Sequence, residues 1–262
     1  MGLGRRKADV ADQQDWIFNR VANAYGARPA YPDCLLDALA TLSRPGAAIA
    51  DIGAGLGHTA VPLAARGFDV CAIDPAAAML EQLTARAQQR GVAVRTVTAR
   101  AEALPLPAAS VDAVILADAL HFMDPELTGC EVARVLRPQG TLSIVSCEPA
   151  ATPFMRAVGA IMAEAAPRRP RAVGSATVQV SRLADVTLGP PRTFHDATPV
   201  DPVTLLEILR SISFIGPAMN AARWQAFATR IAAIAEPAVW ARAFTLRSGH
   251  RTPRAADGSR YS

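Results

Sequence analysis

The stretch A-A-I-A-D-I-G-A-G-L-G, residues Ala47 to Gly57, decides the fold of this 262-residue chain. Its first half is apolar, which predicts a buried β-strand. Glycines then alternate at Gly53, Gly55 and Gly57, and a helix-like pattern follows at once, so the second half predicts a tight turn into a helix N-terminus. Glycine tolerates positive φ and leaves no Cβ between the backbone and a bound molecule. The turn is therefore a candidate site for a ligand that contacts bare backbone.

A second predicted strand carries an acid that would complete this site. Val70 to Ile73 is apolar and ends at Asp74, about 20 residues beyond the first glycine. A carboxylate there can accept hydrogen bonds from both hydroxyls of a ribose. Since Asp74-Pro75 is also suited to begin a helix, a role as helix cap alone is the competing interpretation. Glycine turn and acid together predict a site for an adenosine-bearing cofactor.

The spacing of the glycines indicates which cofactor this is. A dinucleotide site has the pattern G-x-G-x-x-G, whereas here the third glycine comes one residue early and His58 occupies the last place of that pattern. Asp51, two residues before the first glycine, would repel a pyrophosphate but would attract a ligand that carries an ammonium and a sulfonium. We therefore expect a cofactor with a positively charged chain rather than NAD.

Composition indicates the cellular context. Hydrophobic residues make up 51% of the chain, yet no apolar run reaches the length that spans a bilayer. The first ten residues carry three basic side chains with no apolar segment behind them, which does not fit a secretory signal. The cysteines are scattered without C-x-x-C spacing and are interpreted as reduced: Cys34, Cys71, Cys130 and Cys147. We expect a cytoplasmic protein with no membrane partner.

The formal net charge of +4 does not by itself indicate a nucleic-acid partner. One basic cluster, Arg168, Arg169 and Arg171, and scattered arginines near the C-terminus are not interleaved with aromatic residues. A nucleic-acid partner is therefore not expected. The oligomeric state stays open, a homodimer included.

Strands and helices alternate through the middle of the chain. Further strands are predicted at Val92 to Thr98, Val111 to Ala117 and Thr141 to Ser146, with helices between them, which indicates a doubly wound α/β sheet. The pattern is weaker beyond Glu148, where we predict a helix at Thr152 to Ala166, an extended segment at Ser175 to Ser181 and a closing strand at Ala238 to Arg247.

Four motifs in this region resemble one protein family. In chain order they are D-I-G-A-G-L-G (51–57), A-E-A-L-P-L-P (101–107), A-L-H-F-M-D (119–124) and L-R-P-Q-G (136–140). They are similar to the motifs of the class I S-adenosylmethionine-dependent methyltransferases, in the small-molecule branch that includes the quinone-biosynthesis-type enzymes. Any one of them alone would be a weak signal, whereas their common order makes the resemblance specific.

The resemblance implies a fold and a division of the chain. It implies a doubly wound, mostly parallel seven-stranded sheet with helices on both faces, plus a helical lid. Residues 1–46 would hold N-terminal helices and a cofactor-covering loop, and 47–148 the Rossmann-like cofactor-binding core. Residues 149–248 would supply a substrate-capping segment and the closing antiparallel strands, and we expect a disordered tail at 249–262.

The resemblance also implies the residues that bind S-adenosylmethionine, with S-adenosylhomocysteine as the product and no metal. The segment Y-x-x-R-P-x-Y-P, within the front loop (Ala24 to Pro32), would lie over the cofactor. Residues around Arg100 would border the adenine. The full expected set is Tyr25, Arg28, Tyr31, Asp51, Gly53, Ala54, Gly55, Gly57, Asp74, Pro75, Met79, Arg100, Ala101, Glu102, Ala117 and His121.

The expected activity is methyl transfer to a nitrogen, oxygen or carbon nucleophile of a small molecule. Displacement at a sulfonium needs alignment and exclusion of water more than acid–base groups. His121, just past the fourth predicted strand, is the candidate catalytic residue, and a role in shaping the cofactor pocket is the competing interpretation. Two alternative functions stay open: a nucleic-acid methyltransferase, and a protein that binds the cofactor as a sensor or partner subunit without catalysis.

Overall fold

A seven-stranded sheet organises the computed structural model, which describes residues 17–166, 173–234 and 237–252. Its strands are β1 (Ala48–Ile52), β2 (Asp69–Asp74), β3 (Arg95–Thr98), β4 (Val111–Ala117), β5 (Leu136–Pro149), β6 (Arg192–Pro199) and β7 (Val239–His250). Their spatial order is β3-β2-β1-β4-β5-β7-β6, and β7 runs antiparallel to both of its neighbours while β1 to β5 are parallel. The predicted mostly parallel, seven-stranded, doubly wound sheet is therefore confirmed.

Helices connect the strands on both faces of the sheet. They are α1 (Ile17–Tyr25), α2 (Asp33–Ala40), α3 (Ala60–Ala65), α4 (Ala77–Gln89), α5 (Pro125–Val135), α6 (Pro153–Ala165), α7 (Val173–Leu183), α8 (Pro202–Arg210) and α9 (Ala221–Ala232). A single 3₁₀ turn, Leu120–Phe122, follows β4. The start of α5 shows why the chain turns helical there: the Asp124 carboxylate accepts hydrogen bonds from the Glu126 and Leu127 amides, and Pro125 fills the first helical position.

The central strands are buried on both faces, as their continuous apolar sequence predicts. Ile49 and Ile115 face one apolar cluster, which contains residues of α2, α3 and α4 such as Leu63. Ile52 and Leu116 point the other way, into a cluster shared with α5 and α7. This alternation along each strand fixes which helices lie on which face. Because β1, β2 and β4 are parallel, their carboxyl ends meet at one edge of the sheet.

A separate apolar cluster lies among α6, α8 and α9 in the second half of the chain. Its buried members are Val158, Ile161, Leu205, Leu209, Ile215, Phe227, Ile231 and Ala238. These helices form a helical layer in the segment for which a capping role was predicted, and α6 also contacts β7. That this layer acts as a lid stays a proposal.

Three local predictions differ from the structure. Ser175 to Ser181, predicted to be extended from its β-branched residues, lies in α7, because Thr177, Val180, Ser181 and Ala184 are buried with helical spacing. Helix α4 begins at Ala77 and not at Asp74-Pro75, with Ala76 in the capping position. Strand β7 continues to His250, so the predicted tail begins later than residue 249.

Parts of other predictions lie outside the described residues. Arg251 still forms an isolated bridge to Val186, but the rest of the expected tail, residues 253–262, is not described. The same holds for residues 11–16 of the predicted N-terminal helix and for the basic cluster at 168–171.

Helix α3 begins at Ala60, so Pro62 falls in its first turn, where no intrahelical amide bond is lost.

We predict opposite effects for two glycine-to-alanine substitutions in helices. A Cβ at Gly129 in α5 would lie 2.8 Å from Leu183 Cβ and 3.3 Å from the Val180 Cα of α7, so Gly129→Ala should lower the free energy of unfolding by about 1–3 kcal/mol. A Cβ at Gly159 in α6 meets nothing within 4 Å, so Gly159→Ala should raise it by about 0.5–1 kcal/mol. Chemical denaturation of both variants measures this. Equal effects would show that α5 and α7 do not pack as closely as described.

Candidate functional site

A cleft opens at the carboxyl ends of β1 to β4. Ligands of open α/β sheets bind at this edge. The residues lining it are Phe18, Tyr25, Gly53, Gly55, Asp74, Pro75, Met79, Ala99, Arg100, Ala101, Glu102, Ala117, Asp118, Ala119, Phe122 and Met123.

The glycine turn forms the floor of this cleft. Gly53, Gly55 and Gly57 have φ of +75°, +52° and +76°, which disfavours any residue with a Cβ. A Cβ at Gly53 would also lie 2.4 Å from the Ala119 Cβ, whereas one at Gly55 would meet nothing within 4 Å. Gly53 is thus required by packing against the segment after β4. Gly55 is open toward the cleft and presents bare backbone to a ligand.

The Asp74 carboxylate lies at the end of β2, lines the cleft and is 7% exposed. One oxygen accepts a hydrogen bond from the Ala76 amide at 2.8 Å and the other from the Gly55 amide at 2.9 Å. Burial raises the pKa of Asp74, and these two amides oppose the shift. A carboxylate has about four lone-pair sites, so two amide bonds leave capacity for ribose hydroxyls. Asp74 therefore fastens β2 to the glycine turn and still faces the cleft.

Asp51 lies below the turn and is 1% exposed. Among the described residues neither of its carboxylate oxygens has a hydrogen-bonding partner of normal geometry. Burial, followed by the nearby charge of Asp74, raises the pKa of Asp51 to about 7, although the Ala60 amide at the start of α3 opposes the shift. An ionised carboxylate in this position is costly unless a cation approaches it. Asp51 is therefore suited to balance a positive charge that arrives with a ligand.

The far end of the cleft is bordered by the segment that follows β3. Arg100 points toward Glu102, with 3.4 Å between its Nε and the Glu102 carboxylate. The other Glu102 oxygen accepts a hydrogen bond from the Asp124 amide at 2.9 Å. Both side chains are thus engaged with protein groups as well as lining the cleft. Ala101 lines the cleft between them.

An ion pair on α5 fixes the conformation of the loop after this segment. Glu131 accepts a hydrogen bond from the Leu104 amide at 2.6 Å. Arg134 donates to the carbonyl oxygens of Leu104 and Leu106 at 2.8 and 2.6 Å, and its ion pair with Glu131 measures 2.7 Å. The A-E-A-L-P-L-P motif is therefore held as a rigid wall by backbone contacts to one helix.

Aromatic side chains cover the other end of the cleft. Tyr25 lies at the end of α1 and lines the cleft, and Phe18 packs edge-on against both Tyr25 and Phe122, with ring centroids 6.3 and 5.0 Å apart. The guanidinium of Arg28 lies 4.0 Å from the Tyr25 ring centre. Tyr31 does not line the cleft but stacks on His58 beside the glycine turn, 5.7 Å between centroids. Burial lowers the pKa of His58 to about 3, so this imidazole is neutral at physiological pH.

Six of the predicted residues do not line the cleft: Asp51, Ala54, Gly57, Arg28, Tyr31 and His121. The first three belong to the turn and its support. His121 lies in the 3₁₀ turn and its ring is 3.9 Å from that of its neighbour Phe122, which is the one that lines the cleft. Its assigned catalytic role stays a prediction.

Sequence reasoning missed other residues of the cleft, above all Asp118. This acid follows β4 directly, lines the cleft and has a φ of +51°, which is uncommon for a residue other than glycine. Its charge contributes to raising the pKa of Tyr25 and of Tyr31, although burial is the larger cause for both. A polar residue immediately after a buried parallel strand is the signal that would have identified it. Phe18, Ala99, Ala119, Phe122 and Met123 carry no comparable signal.

The described part of the chain contains neither a candidate metal-binding group nor a membrane-spanning helix. Residues 17–166, 173–234 and 237–252 contain no group of three or more His, Cys, Asp or Glu side chains that could hold a metal ion. Within the same ranges, no helix has both the length and the apolar character needed to cross a membrane.

Comparison with known proteins agrees with this geometry. Residues 50–144 match the family model of a methyltransferase domain. An uncharacterised methyltransferase of Mycobacterium tuberculosis is 43% identical over 129 residues, which are 49% of this chain and 51% of the relative. The chain thus aligns with about half the length of the curated relatives it matches.

Solved structures share the fold over a larger part of the chain. YcgJ of Bacillus subtilis has a TM-score of 0.59 at 21% identity, over 84% of this chain and 99% of that one. The geranyl diphosphate C-methyltransferase of Streptomyces coelicolor, solved with Mg²⁺, geranyl diphosphate and S-adenosyl-L-homocysteine, has a TM-score of 0.52 at 13% identity, over 84% and 78% of the two chains. Sheet order, glycine turn and family match agree: residues 50–144 match a methyltransferase domain, and the sheet that contains them has the fold of the class I methyltransferases.

Proposed function

We propose that this chain transfers a methyl group from S-adenosylmethionine to a nucleophilic nitrogen, oxygen or carbon of a small molecule in the cytoplasm. The observation that carries the proposal is the buried Asp51 carboxylate, which has no hydrogen-bonding partner of normal geometry among the described residues and lies beneath a glycine turn open to the cleft. A ligand that brings an ammonium and a sulfonium would supply the missing positive charge. A pyrophosphate would worsen the electrostatic imbalance, which supports S-adenosylmethionine over NAD.

The residues present fit this cofactor along the whole cleft. Asp74 would hold the ribose hydroxyls, and the backbone of Gly53 and Gly55 would border the methionine chain. The wall from Ala99 to Glu102 would border the adenine, where Ala101 supplies backbone. Met79 and the helix α4 that carries it would close the cleft from below. Bound S-adenosylmethionine supplies an electrophilic methyl group on a positively charged sulfur.

The contribution of the protein is alignment and exclusion of water. Phe18, Tyr25 and Phe122 surround the end of the cleft beyond the glycine turn, where a transferable methyl group needs protection from solvent. The Arg28 guanidinium lies 4.0 Å from the Tyr25 ring centre, a cation–π contact that would hold the ring in place beside the cofactor. Asp118 lines the same end of the cleft and could accept a hydrogen bond from the acceptor molecule. Methyl transfer by this arrangement needs no dedicated catalytic triad.

The acceptor is proposed to be small because the front loop is attached to the helical layer of the second half. The front loop and the helical layer of α6, α8 and α9 lie at the carboxyl edge, with Arg28 of the loop donating to Ser211 just after α8. A duplex nucleic acid would have to displace these elements. The structural relative that binds geranyl diphosphate and S-adenosyl-L-homocysteine supports a small acceptor as well.

The experiment that tests the proposal has a binding arm and a transfer arm. Calorimetric titration of the full chain should show binding of S-adenosylmethionine and S-adenosylhomocysteine and none of NAD. Incubation with methyl-labelled cofactor and a fractionated metabolite extract should then transfer label to a low-molecular-weight fraction. Binding without transfer to any fraction would favour a protein that binds the cofactor as a sensor or partner subunit. Transfer of label to nucleic acid alone would favour a nucleic-acid methyltransferase.

We predict that Asp74→Ala weakens the binding of S-adenosylmethionine about tenfold to a few hundredfold. Hydrogen bonds to a charged group contribute roughly 1.5–3 kcal/mol, and about 1.4 kcal/mol corresponds to a factor of ten. Since Asp74 also binds the Gly55 and Ala76 amides, the free energy of unfolding should fall by about 1–2 kcal/mol. Asp69→Ala, at the exposed start of the same strand, is the matched control. An unchanged affinity with a large loss of stability would reduce Asp74 to a structural role.

We predict that Asp51 makes the stability of the ligand-free protein fall as the pH rises. Between pH 4 and 7 the folded chain keeps a proton on Asp51 that the unfolded chain has lost, because the folded pKa is about 7. The free energy of unfolding should therefore decrease across this window, by on the order of 4 kcal/mol for this residue, and stay level above it. Asp51→Asn should abolish that decrease, as urea denaturation at pH 5 and pH 8 can measure.

The same residue should couple the binding of the cofactor to proton release. A cation beside Asp51 favours its ionised form, so binding at pH 6 should release a proton from the parent protein and none from Asp51→Asn. Calorimetry in buffers of different ionisation enthalpy counts the protons. An equal proton count for the two proteins would show that the cationic part of the ligand does not lie near Asp51.

A further inference from the structure

Arg242 is an arginine in the interior of the sheet. It lies near the start of β7 and is 5% exposed. A buried guanidinium is costly unless its donors are paired. Its first partner is Asp196 of the neighbouring strand β6, with which it forms an ion pair through Nη2 and a hydrogen bond of 3.2 Å through Nε. Asp196 and Arg242 are register partners on adjacent antiparallel strands, so the pair is fixed by the sheet itself.

The remaining donors of Arg242 reach the front loop at the other end of the sequence. Nη1 donates to the Pro29 carbonyl at 3.0 Å and Nη2 donates to the Ala30 carbonyl at 2.6 Å. These contacts join residues more than 200 positions apart. One planar guanidinium thus uses its fork to satisfy both an acid of the sheet and two consecutive carbonyls of the loop, which a lysine ammonium cannot do.

This attachment continues from the loop to the glycine turn. Tyr31 directly follows Ala30. Its ring packs edge-on against Phe244 of β7, 5.1 Å between centroids, and stacks on His58, 5.7 Å between centroids. The Arg242 guanidinium itself lies 4.9 Å from the Phe244 ring centre. On the other side of the loop, Arg28 donates to the Ser211 hydroxyl at 2.8 Å. The loop that follows Tyr25 is therefore fixed at several points to strands and helices of the second half.

We propose that Arg242 is a positioning residue that, with Asp196, holds the front loop closed over the cofactor cleft. The inference rests on the proposed function for its meaning, because a closed loop matters if a cofactor must be shielded from water. The attachment itself is a property of the ligand-free protein and can be tested without any cofactor. Loss of the hydrogen bonds from the Arg242 guanidinium to the Pro29 and Ala30 carbonyls should release the loop while the sheet stays folded.

Cys147 supplies a probe of this closure. It lies in β5 beside Phe244 of β7 and is partly buried in the same apolar cluster to which Tyr31 packs. Its thiol is close enough to Tyr25 and Tyr31 to affect the pKa of both phenols. Burial raises the pKa of Cys147 to about 12, so the thiol should react slowly while the loop is closed. Opening of the loop should make it accessible.

The experiment measures alkylation of individual cysteines by mass spectrometry in the full chain without ligand. Cys34 and Cys130 are exposed and report the reagent, and Cys71, 2% exposed within β2, reports global unfolding. Arg242→Lys keeps the charge beside Asp196 but loses the fork to the loop, and Arg242→Gln removes the charge too. Arg192→Gln, an exposed arginine at the start of β6, is the matched control.

We expect Arg242→Lys to accelerate the alkylation of Cys147 at least tenfold with Cys71 unchanged, and Arg192→Gln to leave both rates as in the parent. Equal acceleration of Cys147 and Cys71, or none, would overturn the proposal. Asp196→Asn provides a second variant should Arg242→Gln fail to fold, and it should accelerate Cys147 in the same selective way.

A second readout separates this inference from the proposed function. Titration with S-adenosylhomocysteine should show about tenfold weaker binding to Arg242→Lys than to the parent, because part of the binding energy must now close the loop. If the parent binds no S-adenosylhomocysteine, the proposed function fails, while the alkylation rates still decide the role of Arg242. If the parent binds it and Cys147 reacts at the same rate in every variant, the role of Arg242 fails alone.

Discussion

The site depends on the Asp51 carboxylate near the end of β1, which is buried and whose oxygens have no hydrogen-bonding partner of normal geometry among the described residues. Such a group destabilises the ligand-free protein once it ionises, since its charge is neither solvated nor paired. The second acid, Asp74, raises this cost because like charges disfavour each other. The proposed cofactor would bring a positive charge for Asp51 and ribose hydroxyls for Asp74.

The walls of the cleft and its cover are held by different kinds of contact. The walls are formed by the parallel strands, and α5 holds the segment after β3: Glu131 accepts a hydrogen bond from the Leu104 amide, and Arg134 donates to the Leu104 and Leu106 carbonyls. The cover is held by side chains from distant parts of the chain: Arg28 with Ser211, and Arg242 with Pro29 and Ala30. Backbone walls can be stable without a ligand, while a few side-chain contacts can open and close.

The local pattern around Ala47 to Gly57 was sufficient to predict the core, because strand, turn and helix are adjacent in sequence and each has its own periodicity. The position of Asp74 followed for the same reason. Helix α7 was missed because Thr177, Val178 and Val180 favour strands, while burial of one face against α5 decides the outcome.

Contacts between distant segments could not be read from the sequence. Nothing near Arg242 indicates that it pairs with Asp196 and with the Pro29 and Ala30 carbonyls, since each contact depends on the order of the strands. Asp118 was missed although its place directly after a buried strand marks it as polar and close to the ligand edge. The sequence favoured His121, three residues later, whose neighbour Phe122 lines the cleft instead.

The antiparallel direction of β7 explains how its residues reach the site. The parallel strands bring their carboxyl ends to the ligand edge, so a strand that runs the other way brings its first residues there. Arg242 therefore lies opposite Pro149 at the end of β5, and Phe244 lies opposite Cys147. A parallel strand in this position would present its last residues to the loop instead. The reversal of one strand thus allows the second half of the chain to hold the cover of a cofactor site built almost entirely by the first half.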